Sequence, residues 1–267
     1  MAMLPAPVRA KLQRPVERAH MTFGVDMPQR PVDFGLEDVN GMVWLVRALE
    51  ADETLKKSRN PQDQEIHIQR LMPADALRIR GRHNASNALA ALALCSTAGC
   101  ALGPILFGLR EYRGEPHRVQ SVATIDAVEY FDDSKGTNVG ATVAALCGLG
   151  EERKVVVILG GEGKGQDFTP LREPIVRFAR AVVLIGRDAP LIREALAELA
   201  VPIWDADSMQ KAVQVASEKA RNGDAVLMSP ACASFDMFKN YEHRAQVFCE
   251  AVHSLALDAG IALEVQS

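Results

Sequence analysis

The sequence predicts an α/β fold, in which a doubly wound, mostly parallel sheet follows a small α+β segment. From Ser121 onward, short apolar runs alternate with longer amphipathic segments, a pattern typical of a parallel sheet with helices on both faces. Before that point the strand-like runs are few and short, and two helical segments follow them. We therefore expect a Rossmann-like domain over residues 119–267, preceded by a smaller unit over residues 1–118.

Composition excludes several classes of protein. The 267 residues are 48% hydrophobic, which is enough to bury a substantial core. A net charge of -4 argues against nucleic-acid binding, because such proteins carry a basic excess. The sequence lacks an apolar run long enough for a membrane span or a signal core. We expect a cytoplasmic monomer that binds neither nucleic acid nor membrane. Five cysteines without CxxC spacing indicate neither a disulfide frame nor a zinc site.

The first unit begins with a proline-containing lead-in, residues 1–19, that is expected to be extended or poorly ordered. Short apolar runs then predict strands at residues 21–25, 42–47 and 66–71. The Ala/Leu-rich stretch after Gly81 predicts a helix over residues 84–98, and a second helix is expected over residues 104–112.

The second unit is predicted to alternate strands with helices. Strands are expected at residues 128–131, 154–159, 181–185, 202–204 and 225–228. Helices are expected at residues 139–149, 170–180, 189–199 and 209–221.

The last strand leads into SPACAS, residues 229–234, and then into apolar positions spaced three or four apart. This spacing predicts a helix that begins near Ser234. Unpaired N–H groups in its first turn would help Ser234 to hold a carboxylate or a phosphate. The alternative is that Ser234 only caps the helix.

Three other polar segments also follow predicted strands: DDSKGTN (132–138), GGEGKG (160–165) and GRD (186–188). Ligands of parallel sheets bind beyond the carboxyl ends of the strands. GGEGKG is not a phosphate-binding P-loop, because Ile158 and Gly165 occupy the required glycine and hydroxyl positions. We expect Gly160, Gly161 and Gly163 to permit a tight turn with positive φ that presents Lys164 to a carboxylate. The alternative is a glycine turn with a solvated lysine.

Three motifs carry a resemblance to a known family. SPACASFDMFKNYEHRA, the Gly-X-His-Asn segment at residues 81–84 and Asp-Ser-Lys-x-Thr-Asn at residues 133–138 are similar to those of Mur ligases, in particular the members that add D-glutamate to UDP-N-acetylmuramoyl-L-alanine. The resemblance covers the last part of a central domain and a whole C-terminal domain. Tyr241 departs from the phenylalanine of the family member compared, but it keeps the ring.

The resemblance implies two sets of site residues. ATP would be bound by Asn84, Asn87, Arg118, Asp133 and Lys135. D-Glutamate would be bound by Thr137, Ser234 and Tyr241, joined by Lys164 as the only cation that we place in that pocket. Lys135 and Lys164 are the expected catalytic residues. Without the resemblance, Asn84 would be taken for a helix cap and Arg118 for a solvated surface residue.

The reaction that the resemblance implies is ATP-dependent amide ligation. ATP phosphorylates the carboxylate of UDP-N-acetylmuramoyl-L-alanine, the D-glutamate amine attacks the acyl phosphate, and Mg²⁺ screens the phosphates. We assign no metal ligand to this chain and expect the main Mg²⁺ ligands upstream. The family's ATP-binding loop does not occur in the 267 residues. We therefore expect a fragment that does not ligate alone.

Two other classes stay open. A related Mur or folylpolyglutamate ligase with another amino-acid substrate would share the fold, but its last turn should differ from SPACAS. A non-catalytic α/β module would bind ligand without turnover. A dinucleotide-binding domain is disfavoured, because no Gly-x-Gly-x-x-Gly opens the first βα unit.

Overall fold

A computed structural model describes residues 20–50, 66–79 and 81–261. The predicted lead-in at residues 1–19 lies outside the described residues. The first unit contains a three-stranded antiparallel sheet of order β1-β2-β3 and two helices. Its elements are β1 (Phe34–Val39), β2 (Met42–Glu50), β3 (Ile66–Pro73), α1 (Arg82–Thr97) and α2 (Leu102–Glu111).

Two details of the small sheet differ from the prediction. β1 was not predicted, and it forms because Asn40 and Gly41, with φ of 55° and 82°, close a two-residue hairpin onto β2. The strand expected at residues 21–25 is wrong: it is reduced to a single bridge between Phe23 and Phe34. The unit has its own core, in which Leu45, Leu89 and Leu92 are fully buried.

The second unit is a six-stranded sheet of order β4-β5-β9-β6-β7-β8. The β4–β5 pair is antiparallel, and every other pair is parallel, which confirms the predicted doubly wound, mostly parallel fold. The strands are β4 (Gln120–Ile125), β5 (Val128–Asp132), β6 (Val155–Gly160), β7 (Ala179–Ile185), β8 (Ile203–Asp205) and β9 (Ala225–Met228). The helices are α3 (Val139–Gly150), α4 (Arg172–Phe178), α5 (Ala189–Ala195), α6 (Met209–Lys219) and α7 (Tyr241–Asp258).

Both faces of this sheet are covered, which is why β6 is apolar along its length. One core joins the sheet to α6 and α7, and the other joins it to α3, α4 and α5. Side chains from Val155 to Leu159 are completely buried. The sequence does not predict β4, because Gln120, Ser121 and Thr124 of this edge strand are polar and exposed, so that it lacks a continuous apolar run.

Several predicted helix bounds are wrong. The last helix begins at Tyr241 rather than near Ser234, because the side chain of Asn240 accepts a hydrogen bond from the His243 amide and caps the helix there. Residues 234–240 form an irregular turn, in which the Ser234 carbonyl accepts from the amide of Phe238. The helix expected over 170–180 ends at Phe178, where β7 follows directly, and that expected over 189–199 ends at Ala195.

The two units meet at α1 and α3. The ring of His83 lies against Gly148, where an added Cβ would come within 2.3 Å of the ring. Burial lowers the pKa of His83, which favours the neutral imidazole at this contact. The border at residues 118/119 stays a prediction. Among the described helices, none combines the length and apolarity needed to cross a bilayer.

Candidate functional site

Four loops meet at the carboxyl edge of the parallel strands. β5, β6, β7 and β9 run in the same direction, so that the segments 132–138, 160–165, 186–188 and 229–234 emerge at one end of the sheet. Glu162 and Ala233 exchange two backbone hydrogen bonds of 2.9 Å, which fixes GGEGKG beside SPACAS. Lys164 and Ser234 therefore lie at the same edge, as the sequence predicts.

The DDSKGTN loop is braced by buried polar side chains. Asp132 is 1% exposed, and its carboxylate lies 2.7 Å from Nδ1 of His117 and accepts a hydrogen bond from the Ser134 amide. The Lys135 amide donates to the carbonyl of His117. These contacts fix the backbone of Lys135 against the segment that carries Arg118.

Asp133 faces inward. It is 5% exposed, and its carboxylate accepts from the Ser229 hydroxyl at 2.6 Å and from the Val119 amide at 3.3 Å. Burial raises the pKa of Asp133 to about 6, against the opposing effect of the Ser229 hydrogen bond. The predicted contact of Asp133 with ATP stays a prediction. In this structure Asp133 links β5, β9 and the segment before β4.

The buried side chain of Arg244 forms hydrogen bonds to two of the loops. Its guanidinium is 1% exposed and donates to the hydroxyl and the carbonyl of Ser134 and to the carbonyl of Cys232. Burial lowers the pKa of Arg244 to about 10, a value at which the side chain stays charged near neutral pH. The Ser134 hydroxyl in turn donates to the carbonyl of Tyr241. Arg244 therefore ties DDSKGTN to SPACAS.

The GGEGKG loop is held mainly through its backbone. Gly160 and Gly161 have φ of 126° and 131°, as expected, but the prediction for Gly163 is wrong. Lys164 and Gly165 take the other positive φ values, 53° and 74°, while Gly163 is needed for space, because a Cβ there would lie 2.7 Å from Phe168. Lys164 is exposed, with Nζ 5.5 Å from the centroid of the Phe235 ring.

Gln166 connects three parts of the edge. Its side-chain nitrogen donates to the carbonyls of Gly163 and Ala231, and its oxygen accepts from the amide of Val139 at the start of α3. The side chain thus sets the spacing of GGEGKG, SPACAS and the helix that follows Thr137.

Two cavities bring together part of the predicted ATP set. A cavity of 520 Å³ is lined by Asn84 and Arg118, and a second of 460 Å³ is lined by Arg118, Lys135 and Tyr241. Asn87 donates to the side chain of Asn84. The positive charges of Arg118 and Lys135 suit the phosphates of a nucleotide.

The predicted D-glutamate set is distributed differently. Thr137 is half-buried directly before the N-cap of α3, and Ser234 is almost fully buried beside the bridge to GGEGKG. Tyr241, by contrast, contacts Lys135, whose Nζ lies 3.8 Å from its ring centroid. The tyrosine therefore lies with a residue of the ATP set.

Sequence reasoning missed three residues of this edge: His117, Gln166 and Arg244. The sequence does indicate a role for Arg244, because its spacing places it on the same apolar helix face as Tyr241 and Phe248. A charged residue on such a face needs buried hydrogen-bond partners. The sequence indicates no role for Gln166 or His117, because their roles depend on loops distant in sequence.

Comparison with known proteins gives the following matches. The family described as Mur ligase, glutamate ligase domain, matches residues 117–232. Relatives named UDP-N-acetylmuramoylalanine–D-glutamate ligase are 72% identical over 264 residues in Albidiferax ferrireducens and 68% identical over 263 residues in Polaromonas sp.. The matches cover 99% and 98% of this chain, and 52% and 45% of the relatives. The chain thus spans about half the length of the curated relatives it matches.

Solved structures show the same fold. A UDP-N-acetylmuramate–alanine ligase from Thermotoga maritima matches with a TM-score of 0.56 at 20% identity, covering 87% of this chain and 48% of that one. The MurF ligase of Thermotoga maritima in complex with ADP matches with a TM-score of 0.50 at 17% identity, covering 88% and 49%.

Proposed function

The chain belongs to the Mur ligase family, and from that premise we propose that it forms the part of an ATP-dependent ligase that joins D-glutamate to UDP-N-acetylmuramoyl-L-alanine. The observation that carries the proposal is the meeting of Arg118 and Lys135 in one cavity, at the sheet edge that also presents Lys164 and Ser234. We place residues 1–118 in a central domain and residues 119–267 in the C-terminal ligase domain.

The nucleotide is proposed to lie along the two cavities that share Arg118. The guanidinium of Arg118 can hold phosphate oxygens by two parallel hydrogen bonds, and Lys135 adds a point charge beside it. Asn84 lines the cavity of larger volume and is proposed to contact the adenine, with Asn87 beside it. Mg²⁺ would screen the phosphate charges, and we assign it no ligand among the described residues.

D-Glutamate is proposed to lie over GGEGKG and SPACAS. Lys164 would hold one carboxylate by charge, and the hydroxyls of Thr137 and Ser234 would donate to the carboxylates as neutral groups. These donors leave the substrate amine free to attack the acyl phosphate, with formation of the amide bond and release of phosphate. The protein contributes mainly positioning and charge neutralisation.

A chimeric enzyme tests this function. The chain replaces the matching region of the Albidiferax ferrireducens ligase, and phosphate release is measured with ATP, UDP-N-acetylmuramoyl-L-alanine and D-glutamate. We expect release that depends on D-glutamate. Arg118→Ala should raise the KM for ATP about tenfold or more and affect that for D-glutamate less, whereas Lys164→Ala should do the reverse.

Arg177→Ala is the control, because this exposed arginine lies in α4, where its carbonyl accepts from Lys154 before β6, at the opposite end of the sheet. It should leave both KM values unchanged. Release without D-glutamate, or equal changes in both KM values for Arg118→Ala and Lys164→Ala, would contradict the assignment.

A further inference from the structure

Both lysines at the ligand edge lie against an aromatic ring of the same segment, residues 234–241. We propose that Phe235 and Tyr241 are positioning residues that hold Lys164 and Lys135, respectively, in place for their anionic substrates. The effect on substrate rests on the proposed function, whereas the positioning itself does not.

The contacts pair each ammonium with one ring. Nζ of Lys135 lies 3.8 Å from the centroid of Tyr241, and Nζ of Lys164 lies 5.5 Å from that of Phe235. Both distances fall within the reach of a cation–π attraction. Phe235 is 63% exposed, so that core packing does not explain an aromatic residue at this place.

Lys135 and Lys164 differ from the neighbouring Arg187 in the groups that contact their charged ends. Arg187, on the adjoining loop, forms salt bridges with Glu162 and Asp188. Within the described part of the chain, neither Lys135 nor Lys164 forms a salt bridge with a carboxylate. The rings are therefore the groups in direct contact with their charged ends. Near Lys135 lies Glu242, whose pKa is lowered by a hydrogen bond from Tyr241 and by the charge of Lys135.

Each ring is fixed to the loop of its lysine by backbone contacts. The paired hydrogen bonds between Glu162 and Ala233 lie two residues before Lys164 and Phe235, respectively. The carbonyl of Tyr241 accepts from the hydroxyl of Ser134, the residue before Lys135. The backbone positions from which each ring and its lysine side chain extend are thus set by the fold.

An aromatic partner suits a lysine that must bind an anion. A carboxylate would neutralise the ammonium and would have to be displaced by the substrate. A ring face attracts the ammonium through its quadrupole but leaves the full charge available. It also restricts a side chain with four rotatable bonds, which lowers the entropy lost when the substrate binds.

The contact itself is tested on the 267-residue chain without substrate. Reductive methylation with ¹³C-formaldehyde keeps the charge of lysine and gives dimethyl-lysine NMR signals, which an adjacent ring shifts upfield. Lys135→Arg and Lys164→Arg variants assign the two signals. We expect Phe235→Leu to return the Lys164 signal to the position of a solvated lysine, and Tyr241→Leu to do so for Lys135. Tyr241→Phe and Phe235→Tyr should preserve the upfield shifts.

Lys219 and Trp204 provide a matched control. This pair has the same contact, with Nζ 4.0 Å from the ring centroid, but Lys219 ends α6 at the opposite end of the sheet from the site. Trp204→Leu should shift the Lys219 signal and leave the site lysines unchanged. If neither site signal responds to loss of its ring, the proposal is overturned.

The consequence for substrate is tested in the chimeric ligase. Phe235→Leu should raise the KM for D-glutamate about threefold, the size of an exposed cation–π contact, with little change in that for ATP, and Phe235→Tyr should restore it. A lost NMR shift with an unchanged KM would overturn the positioning role. An inactive wild-type chimera would instead contradict the proposed function, while the NMR comparison would still decide whether the rings hold the lysines.

Discussion

Two loops at the same sheet edge fix a lysine by different means. The DDSKGTN loop is braced by side chains, because Asp132, Asp133 and Ser134 are buried and hydrogen-bonded to groups on other elements. The GGEGKG loop is braced by its backbone, in which Gly160 and Gly161 adopt positive φ and approach neighbouring carbonyls. The first loop should therefore be sensitive to loss of polar partners, and the second to added Cβ atoms.

The largest loss of stability is expected when the buried guanidinium of Arg244, which is hydrogen-bonded to the DDSKGTN loop, is removed. Arg244→Ala removes three hydrogen bonds and leaves the carbonyls of Ser134 and Cys232 without these donors. We expect the free energy of unfolding to fall by about 4 kcal/mol, measured by urea denaturation. Arg187→Ala, which removes the ion pairs of an exposed arginine with Glu162 and Asp188 at the same edge, should cost less than about 1 kcal/mol. Equal losses for the two variants would contradict the comparison.

In the GGEGKG loop, the protein should lose stability when a glycine gains a methyl group. Gly161→Ala places a Cβ 2.2 Å from the carbonyl oxygen of Ala233 at φ of 131°, and we expect a loss of about 3 kcal/mol. Gly165→Ala is the matched control, because its φ of 74° is also positive but no atom lies within 4 Å of the added Cβ. That variant should lose about 1 kcal/mol. Similar losses in both would show that torsion, rather than close approach, determines the cost.

The same contrast explains how much of the site could be predicted from sequence. The order of strands and helices after β4 follows from apolar periodicity, and the place of all four loops at one edge follows from parallel strands. The pairing of Lys135 with Tyr241 could not be predicted, because it depends on a helix that begins at Tyr241. The spacing of apolar residues predicts that start near Ser234 and does not reveal the capping side chain of Asn240.

The buried hydrogen bonds of Asp133 could not be predicted from the sequence either. The contact of Asp133 with ATP stays a prediction, but nothing in DDSKGTN indicates that the Ser229 hydroxyl and the Val119 amide donate to its carboxylate. Those partners lie 96 and 14 residues away along the chain. Local spacing indicates which residues share a loop, but it does not indicate which of them faces the cavity.

The inward orientation of Asp133 has a pH signature. Its pKa is raised from 3.8 to about 6 by burial, so the folded state binds a proton more tightly than the unfolded state. Its stabilising contribution is therefore fully present below about pH 4 and is lost as pH rises through about 6. The stability difference between wild type and Asp133→Asn should fall across this range by on the order of 2 kcal/mol.

Urea denaturation of both proteins at several pH values between 4 and 7 measures this difference. Subtracting the variant removes the titration of other groups that behave alike in both proteins. A difference that increased with pH would mean that Asp133 is held as a carboxylate, stabilised by Arg118 more than it is penalised by burial. In that case the first loop would be braced by charge rather than by neutral hydrogen bonds.

The smallest loss of stability is expected at Asn138, which lies at the exposed end of the DDSKGTN loop. The side chain of Asn138 accepts from the amide of Ala141 at 2.9 Å and caps α3. Asn138→Ala should lower the free energy of unfolding by about 1 kcal/mol, and Asn138→Asp should be nearly neutral, because aspartate caps equally well. The dimethyl-lysine signal of Lys135 should not move, since Ser134, His117 and Arg244 hold that part of the loop from inside. If Asn138→Ala shifted this signal, or cost as much as Arg244→Ala, the rigidity of the loop would come from its helix cap, and the buried network would lose its assigned part in placing Lys135.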